Sequence, residues 1–97
     1  MNWKKMIKYE LIGLIATRIK YPMQVCRRLE RTHRSIDFKA LESGMKKMQH
    51  IAINKETLPK EYYQMQVSFK MYKKSELMSI LMAIKAENKE TKGNNDG

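Results

Sequence analysis

The sequence predicts a small all-α protein, a bundle of four or five helices. Three observations carry that prediction. Apolar residues recur at spacings of three and four along most of the chain. Prolines and polar capping residues interrupt the pattern where helices would begin. The one alternating run, Val67, Phe69 and Met71, is short, so a strand there is a minor alternative. With 97 residues, one domain with a modest core is expected.

Taken in order, Met6, Ile7, Leu11, Leu14 and Ile15 place a first helix within residues 2–20. Tyr21-Pro22 ends it, because a residue before proline avoids helical geometry. Pro22 then suits the first turn of a second helix, which runs to about Thr32. Ser35 or Asp37 caps a third, in which Phe38, Leu41, Met45, Met48 and Ala52 form the stripe. Gly44 weakens that helix without forbidding it. Asn54 to Thr57 read as a connection, and Pro59 opens a fourth helix carrying Tyr62, Met65, Phe69 and Tyr72. Leu77, Ile80, Leu81 and Ile84 continue the stripe, either in the same helix to about residue 89 or in a fifth capped by Ser75. The folded domain is therefore set at 1–90, with a basic part at 8–34 and core or dimerisation helices at 37–90. Thr91 to Gly97 are polar and expected to be a disordered tail.

Charge is distributed unevenly. The formal net charge is +10. Residues 1–34 hold nine basic and two acidic side chains, residues 35–74 eight and four, and residues 75–97 three and four. The positive field belongs to the N-terminal third, and it favours an anionic partner. All five arginines lie between positions 18 and 34: Arg18, Arg27, Arg28, Arg31 and Arg34. Elsewhere the basic residue is Lys. Arg offers a rigid planar fork of donors that fits phosphate oxygens and base edges, whereas Lys is a hydrated point charge. On a helical wheel, Pro22, Val25, Cys26 and Leu29 fall on one side and Gln24, Arg27, Arg28, Arg31 and Arg34 on the other. One face can dock on a core while the other meets a partner.

The stretch Leu14-Ile15-Ala16-Thr17-Arg18-Ile19-Lys20-Tyr21-Pro22-Met23-Gln24-Val25-Cys26-Arg27-Arg28-Leu29 resembles a helix-turn-helix. The resemblance implies that Ile15, Ala16 and Ile19 pack the first helix and that Val25 and Leu29 anchor the second. It implies that Gln24, Arg27, Arg28 and Arg31 face duplex DNA. Together with the Arg cluster, the expected nucleic-acid-binding residues are Arg18, Lys20, Gln24, Arg27, Arg28, Arg31 and Arg34. Two departures stand out: Lys20 replaces the usual turn glycine, and the turn is one residue short. The expected function is a small basic DNA-binding protein that reads duplex DNA with the Arg-rich helix 22–34. Its expected role is a transcriptional regulator or accessory factor of a bacterial phage or mobile element. The alternative is a protein-interaction module whose Arg face docks on an acidic protein surface. A third reading, residues 1–20 lying on a membrane surface through Trp3, Lys4, Lys5 and Lys8, is opposed by Glu10.

The remaining features point away from chemistry. No nucleophile-elbow, phosphate-loop, zincin or dinucleotide fingerprint occurs, so the expectation is not an enzyme and no cofactor. The single cysteine, Cys26, permits no internal disulfide, and His33 and His50 have no ligand partners nearby, so no metal site is expected. Nine methionines sit mostly at stripe positions, as core filling. Tyr62, Phe69 and Tyr72 also lie on the stripe, while Tyr63 lies off it. The apolar patch at 11–16 is too short to span a bilayer, which takes about 20 residues. The expectation is a soluble, unprocessed, cytoplasmic protein without a small-molecule substrate. A homodimer through the C-terminal helices is expected, because the stripe in 58–84 exceeds what a small core absorbs.

Overall fold

Every described element is helical. The computed structural model describes residues 7–53 and 67–96, with side chains for residues 7–50 and 67–90. Four helices are bounded among the described residues: α1 (Lys8–Arg18), α2 (Pro22–Glu30), α3 (Phe38–Ile53) and α4 (Lys74–Asp96). A further helical segment at 67–69 ends in the turn that leads to α4, and no strand occurs among the described residues. The alternating Val67, Phe69 and Met71 are thus not a strand. The fold is a small all-α bundle.

Each boundary has a local cause. α1 carries Glu10 in its first turn and Arg18 in its last, both favourable to the helix dipole. It stops four residues before Pro22, and Tyr21 is non-helical, with φ −129° and ψ 72°. Pro22 sits at the start of α2, where its missing N–H costs nothing. α2 ends at Glu30, before the expected Thr32. Backbone N–H groups of Thr32 and His33 both turn back to the Leu29 carbonyl, at 3.0 and 2.8 Å. Arg34 therefore lies in the following turn and not on the helix.

α3 and α4 start in the same way. Of the two expected caps for α3, Asp37 is the one used: its Oδ1 accepts from the Ala40 N–H at 3.2 Å. Ile36 before it and Leu41 after it are both buried, an apolar staple across the cap. At α4 the Lys73 N–H donates to Glu76 Oε1 at 2.7 Å, and buried Tyr72 and Leu77 flank that cap. Ser75, expected to cap, instead lies inside α4, where its carbonyl accepts from Ser79 Oγ at 3.1 Å. Lys73 holds the cap position because the carboxylate three residues on reaches its N–H. The same cap resolves the one-or-two-helix question for this stretch in favour of a break. The α4 backbone is helical to Asp96, through residues expected to form a disordered tail. No proline interrupts that run after Pro59.

The core joins all four helices. Leu11, Ile12, Ile15, Val25, Leu41, Met45, Met48, Leu77, Ile80, Leu81 and Ile84 are fully buried. The main interfaces pair α4 and α3 each with both α1 and α2. Phe38 is half-buried at the margin, and Ile7, expected on the stripe, is 58% exposed because it precedes the helix as its cap. Tyr62, Tyr63 and Met65 lie outside the described residues. Leu77, Ile80, Leu81 and Ile84, the α4 part of the 58–84 stripe that motivates a dimer, are buried within one chain.

Gly44 has a specific reason to be small. A Cβ there would stand 2.9 Å from Phe69 Cε2 and 3.0 Å from Cζ. Phe69 is 2% exposed and tilted against Tyr72, with ring centroids 5.6 Å apart. The ring thus seats directly on the α3 backbone.

Gly44→Ala should lower the melting temperature, although it raises helix propensity by about 1 kcal/mol. Overpacking a filled site costs about 1–3 kcal/mol. Phe69→Ala alone should cost about 3–5 kcal/mol. Combined with Phe69→Ala, Gly44→Ala should become neutral or stabilising. Additive losses in thermal melts would disprove the contact.

Candidate functional site

α2 presents the charged face. Pro22, Val25, Cys26 and Leu29 are buried against the bundle, while Met23, Gln24, Arg27, Glu30 and Arg31 are exposed. The buried set is the one the wheel assigns to the core. It is fixed by spacing: residues 22, 25, 26 and 29 share one side of a helix.

The seven sequence-predicted residues do not behave alike. Lys20, Gln24, Arg27, Arg31 and Arg34 are exposed. Arg18 turns back on α1, its Nη1 lying 3.0 Å from Thr17 Oγ1 and 3.5 Å from the Leu14 carbonyl. Its own carbonyl accepts from Asn88 Nδ2 of α4 at 2.8 Å. Lys20 meets α3 through its backbone: its carbonyl accepts from Gln49 Nε2 at 3.2 Å. Arg28 is the largest departure. Its Nη2 donates to Glu87 Oε2 at 3.0 Å and to Glu90 Oε1 at 2.7 Å. Hydrogen bonds to Glu90 and then Glu87 push the guanidinium pKa further up, against the opposing effect of burial.

Gln24, Arg27, Arg28 and Arg31 line one groove with Glu87 and Glu90, about 410 Å³ in volume. Arg18, Lys20 and Arg34 stand outside it. Sequence reading missed the two glutamates and Asn88. Their signal is the change of charge sign over residues 75–97 and the Glu87/Glu90 spacing of three, which puts both carboxylates on one helix face. That such a face opposes α2 is a tertiary fact.

A second groove, about 310 Å³, opens between α2 and α3; Cys26, Arg27, Glu30, Phe38, Lys39 and Glu42 are among its lining. The Cys26 thiol donates weakly to the Phe38 carbonyl at 3.8 Å. Burial first, then Glu42 and Glu30, push its pKa up to about 11, with Lys46 opposing. Such a thiol is inert, not nucleophilic. Among the described residues no group of three or more His, Cys, Asp or Glu is placed to hold a metal. No described helix is long and apolar enough to cross a membrane.

No family model, no curated protein and no solved structure matches this chain.

Arg28→Ala should lower the melting temperature more than Arg27→Ala. It leaves Glu87, 14% exposed, beside Glu90 with no cation between them. Equal losses in thermal unfolding would contradict this.

Cys26 should also shape the alkaline stability curve. The folded state keeps its thiol proton to about pH 11, while the unfolded chain releases it near 9.0. The stability from the neutral thiol is complete below pH 9 and is lost as pH rises toward 11. Cys26→Ala should flatten that decline. Tyr72, also shifted upward by burial, should keep the decline from vanishing. At pH 8, a thiol reagent should label Cys26 only after denaturant is added.

Proposed function

We propose that this protein binds duplex DNA through the exposed face of α2, with Arg27 and Arg31 as the principal phosphate contacts and Gln24 beside them. The observation that supports the reading most is the exposure of Arg27, Arg31 and Arg34. They form no ion pair or hydrogen bond with other described residues. Arg27 on the helix and Arg31 at its C-cap, without partners among the described residues, keep their forks of donors for phosphate oxygens or a guanine edge.

Size agrees with this use. α2 has nine residues and so spans about 14 Å. A helix of that kind fits the major groove, about 12 Å wide. Phosphate contacts would supply most of the affinity and fix the register, while Gln24 and one Arg would read bases. The structure changes the sequence-based site in two places. Arg28 is committed to α4, and Arg34 follows the helix, so the reading segment is 22–31, α2 with its C-cap residue Arg31, and not 22–34. A role in transcription for a phage or mobile element, a cytoplasmic location and a homodimer remain parts of the proposal that rest on sequence alone. The competing partner is an acidic protein surface, which the same Arg27 and Arg31 would engage.

Replacing Arg27 and Arg31 together by Ala should leave the fold intact, because both project away from Val25, Cys26 and Leu29. Duplex binding should weaken, and the slope of log affinity against log salt should fall by about one per lost phosphate contact. Replacing the exposed Lys47 and Lys73 should do much less. Fluorescence anisotropy with random-sequence duplex at two salt concentrations makes the comparison. Equal losses from the two pairs would mean diffuse electrostatics. No binding by the wild type at low salt would transfer the Arg face to an acidic protein partner.

A further inference from the structure

The Arg face has an acidic wall. Glu87 and Glu90 stand one helical turn apart on α4 and reach across to the middle of α2. Both carboxylates converge on a single nitrogen, Arg28 Nη2. Arg28 Nε is buried and has no partner among the described residues. The guanidinium is thus turned to α4, although two of its neighbours along the same face, Arg27 and Arg31, point to solvent. An anion entering the groove from the α2 side meets Arg27, Arg31 and Gln24, and then two carboxylates that outnumber the one cation between them.

Resting on the proposed function, we infer that Glu87 and Glu90 are specificity-determining residues: they withhold Arg28 from the partner and repel phosphates from one flank of α2. Affinity for nucleic acid of arbitrary sequence is thereby lowered. A face bearing four arginines and no acids would bind any polyanion, since the phosphate term carries no sequence information. Placing two carboxylates beside the binding cations removes part of that indiscriminate attraction and raises the share left to base contacts.

The geometry also limits how the duplex lies. Its backbone must pass on the Arg27 and Arg31 side of α2 and clear the α4 side, because a phosphate beside Glu87 meets a like charge in a partly desolvated groove. Glu87 is 14% exposed, so its charge is weakly screened; Glu90, at 62%, is screened more. Glu87 therefore contributes more of the repulsion and Glu90 more of the hold on Arg28, to which it makes the shorter bond.

The test uses the full chain and random-sequence duplex DNA. Glu87→Gln with Glu90→Gln should tighten binding about fivefold relative to the wild type. It should also raise the salt slope by about one, the mark of a new phosphate contact at Arg28. Adding Arg28→Ala to that variant should remove the gain in slope. The control is Glu10→Gln with Glu76→Gln, the same charge change in the first turns of α1 and α4. Glu76 lies eleven residues before Glu87, about 16 Å along the helix. Circular dichroism and thermal melts report on folding. Should the double variant not fold, Glu90→Gln alone, at the more exposed position, should still raise the slope. A gain no larger than the control's, with wild-type binding intact, overturns the inference and leaves the proposed function standing. Wild-type silence with binding by the Glu variant overturns the proposed function, and with it this inference, since the unaltered protein then does not bind duplex. Silence from both overturns the proposed function and this inference together.

Discussion

The bundle depends on one helix facing two others at once. The α4 stripe, Leu77, Ile80, Leu81 and Ile84, is fully buried, and α4 packs against both α1 and α2. Burying each such side chain stabilises by about 1.5–3 kcal/mol. α1 and α2 are joined chiefly through this shared partner and through α3. The direction in which the Arg face points is therefore set by α4 more than by the three-residue link between α1 and α2. A substitution at Ile80 or Leu81 would act on the site without touching it.

Polar contacts finish what the stripe begins. Beyond Ile84, α4 is held by Asn88 on the Arg18 carbonyl and by Glu87 and Glu90 on Arg28. The first contact occupies a carbonyl at the C-terminal end of α1, one of the acceptors a helix leaves without an internal partner. The second orients a guanidinium. Neither substitutes for apolar burial, since ion pairs at such exposure contribute little. What they add is register: they fix which turn of α4 lies opposite Arg18 and which opposite Arg28. Two of the five arginines that sequence reading assigns to a partner, Arg18 and Arg28, are consumed in this seam or beside it.

The elements with strong local causes were legible in the sequence. The break at Tyr21-Pro22, the Asp37 cap, the buried set of α2 and the stripes of α3 and α4 follow from proline chemistry, capping and periodicity. Each depends on residues within one or two turns of each other. The errors have a common form. Side-chain type points to Ser75 as the cap, while here the bond runs from the Lys73 main-chain N–H to the Glu76 carboxylate. Gly44 was read as a propensity cost, because the ring that needs the space, Phe69, is far away in the chain. Arg28 was grouped with Arg27 and Arg31 because a helical wheel knows nothing of α4. A wheel reports what a helix can expose, and the partner helix decides what it does expose.

Charge counting alone misjudges the surface for the same reason. The chain carries +10, and the N-terminal third holds most of it. Yet on α2 the partner-facing cations reduce to Arg27 and Arg31, with Glu30 exposed beside them and two carboxylates across the groove. Long-range attraction follows the net charge and brings a polyanion to the molecule. Within a Debye length of about 8–10 Å, local pairs take over, and the net charge ceases to matter. On the proposed function, capture and fit are thus governed by different residues: the scattered lysines set the rate of encounter, while Gln24, Arg27 and Arg31, bounded by Glu87 and Glu90, set what stays.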